Sequence, residues 1–154
     1  MSEALYLPYT TYAIPPSEAF PTGEVRDYPL IPVGLSYSGQ TTAFEFLAII
    51  DSGADHCVFP ALFGRQVGIP IETGRKASTV GVTGVGLTYY HQVDVLVYLQ
   101  EQSYQFTCYA GFMPDLDPAG VGLLGRDGFF NLFAKVAFNT SQRVVEFTLR
   151  EQQA

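Results

Sequence analysis

From residue 30 onward, hydrophobic and polar positions alternate mostly with a period of two, the signature of strands. Phe44, Phe46, Ala48 and Ile50 alternate with Glu45, Leu47 and Ile49. Both sets are largely apolar, which predicts a strand buried on both faces and running straight into Asp51. Val93, Val95, Val97 and Leu99 alternate with Gln92, Asp94, Leu96 and Tyr98, and Tyr104, Phe106 and Cys108 with Gln105, Thr107 and Tyr109. The pair predicts a hairpin turning at Glu101-Gln102-Ser103. Val145, Phe147 and Leu149 form a further strand pattern, with a partner at residues 135–138 across Asn139-Thr140-Ser141-Gln142. The run from Ile31 to Tyr37 leads into a turn at Ser38-Gly39-Gln40. Two stretches read as helical. Residues 60–67 open on a proline suited to a first helical turn and stop at Gly68. Residues 126–134 carry Phe129, Phe130 and Phe133 at helical spacing, which we assign to core packing.

Residues 1–29 differ. Pro8, Pro15, Pro16, Pro21 and Pro29 punctuate them, and proline excludes helix interiors and central strands, so an extended arm or loop is expected. Residues 30–150 make one domain and 151–154 a tail. With 154 residues and 47% apolar content, the core needs no disulfide staples. The formal charge of -7 argues against binding nucleic acid, because an acidic chain repels phosphate backbones. Neither a secretion signal nor a run long enough to span a membrane is visible, so the expectation is a cytoplasmic protein without membrane contact. Cys57 and Cys108 make neither a disulfide framework nor, with His56 and His91, a metal site of recognised spacing. They read as partly buried thiols in a reducing compartment.

The chemistry concentrates around Asp51-Ser52-Gly53-Ala54-Asp55. A carboxylate at the end of a buried strand needs a partner, a hydrogen bond or a proton. Ser52 supplies a small hydroxyl, and Gly53 lets the chain turn and another backbone approach. Downstream, Val121-Gly122-Leu123-Leu124-Gly125-Arg126-Asp127 repeats the theme of an aliphatic strand ending in a glycine of close approach. Between them lies the segment from Ser78 to Tyr89. It is β-prone and uncharged and has three glycines, a composition suited to a mobile hairpin rather than a core.

These three pieces, in this order, resemble the retropepsin-like aspartic peptidases: the retroviral proteases and their single-domain cellular and bacterial relatives. The resemblance covers residues 30–149. It implies an all-β fold, a single-domain retropepsin-like (acid-protease) β-barrel with one or two short helices, closed by a homodimer. Asp51 falls on the family's catalytic aspartate. Ser52 falls on the hydroxyl residue that braces the two aspartate loops, in place of the commoner threonine, and Gly53 lies beside it in the active-site loop. Gly53, Ala54 and Asp55 fall on positions that line the cleft, and Val82, Thr83, Gly84 and Val85 on the tip of the substrate-covering flap. Arg126 falls on the arginine that pairs with the carboxylate at Asp55, a bidentate and partly buried brace. No cofactor and no metal is implied. The longer arm departs from the family pattern.

The mechanism so implied requires two carboxylates sharing one proton, whereas Asp-Ser-Gly occurs once and the chain has no repeat. The second carboxylate is therefore expected from an identical chain across a two-fold axis, with a peptide or protein as substrate. Other readings are weaker. Gly120-Val121-Gly122-Leu123-Leu124-Gly125 matches a dinucleotide pattern, but no strand precedes it and no βαβ unit fits after it. Adjacent His56 and Cys57 point to opposite faces of an extended chain and do not make a nucleophile pair. The main alternative is a retropepsin-like fold used as a peptide-binding or dimerisation module without catalysis.

Overall fold

The alternation read from residue 92 onward builds the longest hairpin of the chain. The structure is a computed structural model describing residues 3–81 and 84–151. Its strands are β1 (Ala4–Pro8), β2 (Thr10–Ile14), β3 (Glu24–Tyr28), β4 (Leu30–Tyr37), β5 (Gln40–Thr41), β6 (Phe46–Ile50) and β7 (Val58–Pro60). After the helix α1 (Ala61–Gln66) come β8 (Arg75–Gly81), β9 (Gly84–Leu99), β10 (Gln102–Met113), β11 (Val121–Leu124), β12 (Phe133–Asn139) and β13 (Val144–Leu149). β9 and β10 pair antiparallel from Tyr89 opposite Phe112 to Leu99 opposite Gln102. The turn is Gln100-Glu101, both at positive φ, slightly earlier than the sequence suggests. That left-handed geometry matches the strand twist.

β4 pairs with β6 along one edge and with β9 along the other. The ring β4-β6-β11-β7-β10-β9 therefore closes into a six-stranded barrel. Val33, Val95 and Val97 fill it at 0% exposure. Closing the sheet removes the exposed edges that an open sheet would carry. A separate sheet, β1-β13-β12, packs through Phe147 and Phe133, whose rings lie 4.7 Å apart. Phe129 joins them at 5.9 and 5.4 Å. A fully buried phenylalanine contributes about 1.5–3 kcal/mol, so this cluster is a major term in holding the second sheet to the barrel.

The arm consists of extended runs that pair: β1 with β13, and β2 with β3 as a hairpin, while Pro15, Pro16, Pro21 and Pro29 lie between strands. Two expectations are corrected. There is no helix over 126–134. A single 3-10 turn at Phe130–Leu132 leads into β12, and Gly128 at φ +116° lies outside helical space. The core reading of the phenylalanines holds at 0% exposure for Phe129 and 3% for Phe133. The helix expected at 60–67 is α1, entered from Pro60 and ending before Val67. β6 buries Phe46, Ala48 and Ile50, whereas Leu47 and Ile49 are half-exposed, so only one face is core. Among the described residues, no helix is long and apolar enough to cross a membrane, and no cluster of three or more metal-ligating side chains occurs.

The β2–β3 hairpin is fastened to the second sheet by charge. Arg143, in the β12–β13 turn, grips both carboxylate oxygens of Asp27, at 2.9 Å through Nε and 2.6 Å through a terminal nitrogen. The Thr11 hydroxyl donates to the same carboxylate at 2.7 Å. These bonds, the one from Arg143 foremost, hold the Asp27 carboxyl below its ordinary value of 3.8. A depressed carboxyl pKa stabilises the fold above the unfolded value, and that contribution is lost as pH falls through the lower folded value. Hydrogen exchange of the β2–β3 amides should therefore accelerate only below the ordinary carboxylate range. Asp27→Asn should produce the same acceleration at neutral pH, with barrel amides unchanged in both cases.

Candidate active site

Asp51 leaves β6 with its amide still donating to the Leu124 carbonyl of β11, at 3.0 Å. Its carboxylate then accepts the Gly53 N–H at 2.9 Å, and its carbonyl accepts the Ala54 N–H at 3.2 Å. The result is a tight loop that turns the carboxylate back over its own backbone. A Cβ on Gly53 would stand 3.2 Å from that carboxylate oxygen, so glycine keeps the approach to Asp51 open. Asp51 is half-buried, while Ser52 and Gly53 are exposed at the crest of the loop.

A second loop crosses the first. The Arg126 amide donates to the Ala54 carbonyl and the Asp127 amide to the Asp55 carbonyl, both at 2.9 Å. His56 and Asp127 form an isolated parallel bridge. At the crossing sits Gly125. A Cβ there would lie 2.5 Å from the carbonyl carbon of His56 and 2.9 Å from the Ala54 oxygen. Only glycine fits, because both obstacles are backbone. The close-approach glycine inferred from sequence is thus tied to the aspartate loop through main-chain hydrogen bonds.

The Arg126 guanidinium contacts the Asp55 carboxylate, as expected, but the pair departs from the brace imagined for it. One terminal nitrogen makes the contact, and the side chains are 57% and 77% exposed. An exposed pair of this kind contributes about 0–1 kcal/mol. The main-chain crossing is the stronger connection between the loops. Cys57 and Cys108 are both free and buried behind the loop. Hydrogen bonding to Cys57, then burial, pushes the Cys108 thiol far above its ordinary range, so it stays protonated.

The glycine-rich segment is a hairpin. β8 and β9 pair from Arg75 opposite Tyr90 to Gly81 opposite Gly84. Gly84 and Val85 belong to β9, and Val82 and Thr83 lie outside the described residues. At its base, His56, Arg75, Lys76, Ala77, Tyr90 and Tyr109 line a cavity of 380 Å³. Sequence reasoning missed His56 and Tyr90 as neighbours, 5.8 Å apart between ring centres, because a loop residue and a strand residue so far apart in the chain meet only in the folded structure.

The fold is shared with a protein of known structure. A retropepsin-like aspartic protease from Rickettsia conorii superposes at a TM-score of 0.54, over 97% of this chain and 96% of that one, at 10% identity. The fold is retropepsin-like. The EIAV protease complexed with the inhibitor HBY-793 also matches, at a TM-score of 0.38 and 19% identity over 64% of this chain and 82% of that one, a likeness too low to carry argument. No protein-family model and no curated protein matches the sequence. The aliphatic strand expected before Gly125 is β11. β11 runs parallel to β6 and antiparallel to β7, with no nucleotide-binding crossover.

Proposed function

We propose that this protein is an aspartic endopeptidase, a hydrolase of peptide bonds that acts as a homodimer. The observation that carries the proposal is the crossed pair of loops. It fixes one carboxylate, Asp51, at a strand end with glycine on its open side and main chain bracing it from behind. One such carboxylate supplies half of a catalytic pair. Two brought together cannot both ionise, so one holds a proton. The ionised Asp51 takes a proton from water as the oxygen attacks the peptide carbonyl carbon. The protonated Asp51 of the partner hydrogen-bonds the carbonyl oxygen as charge develops there. Collapse of the tetrahedral intermediate breaks the C–N bond, and the amine leaves with a proton from the pair. Ser52 braces the two loops, Ala54 and Asp55 hold the extended peptide backbone, and Arg126 positions Asp55. The β8–β9 hairpin closes over the substrate as a flap, with Val82, Thr83, Gly84 and Val85 at its tip.

The test is digestion of a peptide library at mildly acidic pH, paired with sedimentation of the same sample. Cleavage by a dimer is expected. A stable dimer that cleaves nothing identifies a non-catalytic peptide-binding or dimerisation module. Activity in a strictly monomeric sample removes the homodimer.

A further inference from the structure

We propose that the β2–β3 hairpin of the N-terminal arm forms a wall of the substrate cleft, where Tyr12 and Tyr28 shape a subsite for a large apolar side chain. The inference rests on the reading of Asp51 as the centre of a peptide cleft, and it adds what the arm does there. A cavity of 390 Å³ is lined by Tyr12, Tyr28, Leu30, Ile49, Ala119 and Val121. Its position relative to Asp51 follows from strand alternation. Phe46, Ala48 and Ile50 point into the core, so Leu47, Ile49 and Asp51 share the opposite face. Ile49 is two residues before Asp51, or about 7 Å along the strand. Val121 pairs with Leu47, and Leu123 with Ile49, so β11 presents Val121 on that same face.

The hairpin is held so that its tyrosines stay beside these residues. On one face, Thr11 and Asp27 are clamped by Arg143. On the other, Tyr12 and Tyr28 meet edge to face with ring centres 5.8 Å apart. Only Pro29 separates Tyr28 from β4, and the Pro29 carbonyl accepts the Ile50 N–H at 2.9 Å, next to Asp51. None of the six lining residues carries a charge. A charged side chain entering the cavity would lose its hydration without a compensating partner. A phenylalanine, tyrosine or leucine would exchange water for two aromatic rings and four aliphatic side chains. Tyr12 remains 41% exposed, so it offers unused ring surface.

Peptides varied one position at a time between Phe, Leu, Ala, Lys and Asp would be titrated against the full-length Asp51→Asn chain, which reads binding without turnover. One position should favour Phe or Leu over Lys and Asp by about tenfold or more. Tyr12→Ala with Tyr28→Ala should flatten that preference while leaving the other positions unchanged. Tyr28→Phe should retain it, and Tyr12→Glu should move it towards Lys. The proposal is overturned if no peptide binds, if the preference survives the double substitution, or if the variants change only the sedimentation, which would assign this surface to a partner chain. A wild type that cleaves nothing while the Tyr-dependent preference persists would remove the peptidase reading and leave the subsite standing.

Discussion

Asp51→Asn is expected to lower the rate of peptide cleavage by at least about 100- to 10,000-fold, the range attributed to a positioned general acid or base, with no loss of fold. Asparagine has the shape of aspartate and keeps an oxygen that can accept the Gly53 N–H, so the loop that aims residue 51 survives the change. What disappears is the ability to take a proton from water and return it. Melting temperature and sedimentation should match the wild type, which separates lost chemistry from lost structure. The variant should also poison its wild-type counterpart. If both carboxylates of a site come from different copies, a ninefold excess of Asp51→Asn chain leaves only about a tenth of the wild-type chains paired with one another after exchange. Activity that ignores the added variant would sink the shared site, and cleavage retained by the pure variant would move the catalytic role elsewhere.

Gly125→Ala should cost about 3 kcal/mol of stability, at the upper end of ordinary overpacking, and should abolish activity as well. The new methyl would meet the carbonyl carbon of His56 and the Ala54 oxygen, and main chain cannot rotate aside as a long side chain can. Relief requires separating the crossed loops, which lengthens the hydrogen bonds from Arg126 to Ala54 and from Asp127 to Asp55. Each such bond contributes about 1 kcal/mol net. For a chain of this size the melting point should fall by about 10 °C. Denaturant titration should show the midpoint falling with the slope unchanged. A variant as stable as the wild type would show that the crossing is looser than drawn here.

Much of the β structure was legible because β9 and β10 in the barrel and β13 in the second sheet bury one face each, and burial of one face writes itself as alternation. The approach to Asp51 was legible as a continuous apolar run, although only one of its faces is core. The register that joins Asp55 to Arg126 was suggested only by resemblance, since no local pattern links residues so far apart in the chain. The prolines gave the arm its extended character but not its pairing, in which Pro15, Pro16 and Pro21 mark the connection between β2 and β3. Thr10, Tyr12 and Ile14 alternate with Thr11 and Ala13, a short period-two signal that was present. The phenylalanines at 129, 130 and 133 misled in another way. Helical spacing also suits residues gathered around a turn, and only the φ of Gly128 distinguishes the two. The cavity beside Ile49 left no trace in sequence, because its walls come from four separate segments.

The three-stranded sheet has a bearing on how such a protein could be governed. β13 already has β1 on one side and β12 on the other, both from its own chain. β1 and β13 thus pair within one copy, over the buried rings of Phe129, Phe133 and Phe147. Under the proposed mechanism, dilution would separate two copies without unfolding either. Cellular abundance would then act as the switch, with sparse chains idle but intact and crowded ones competent.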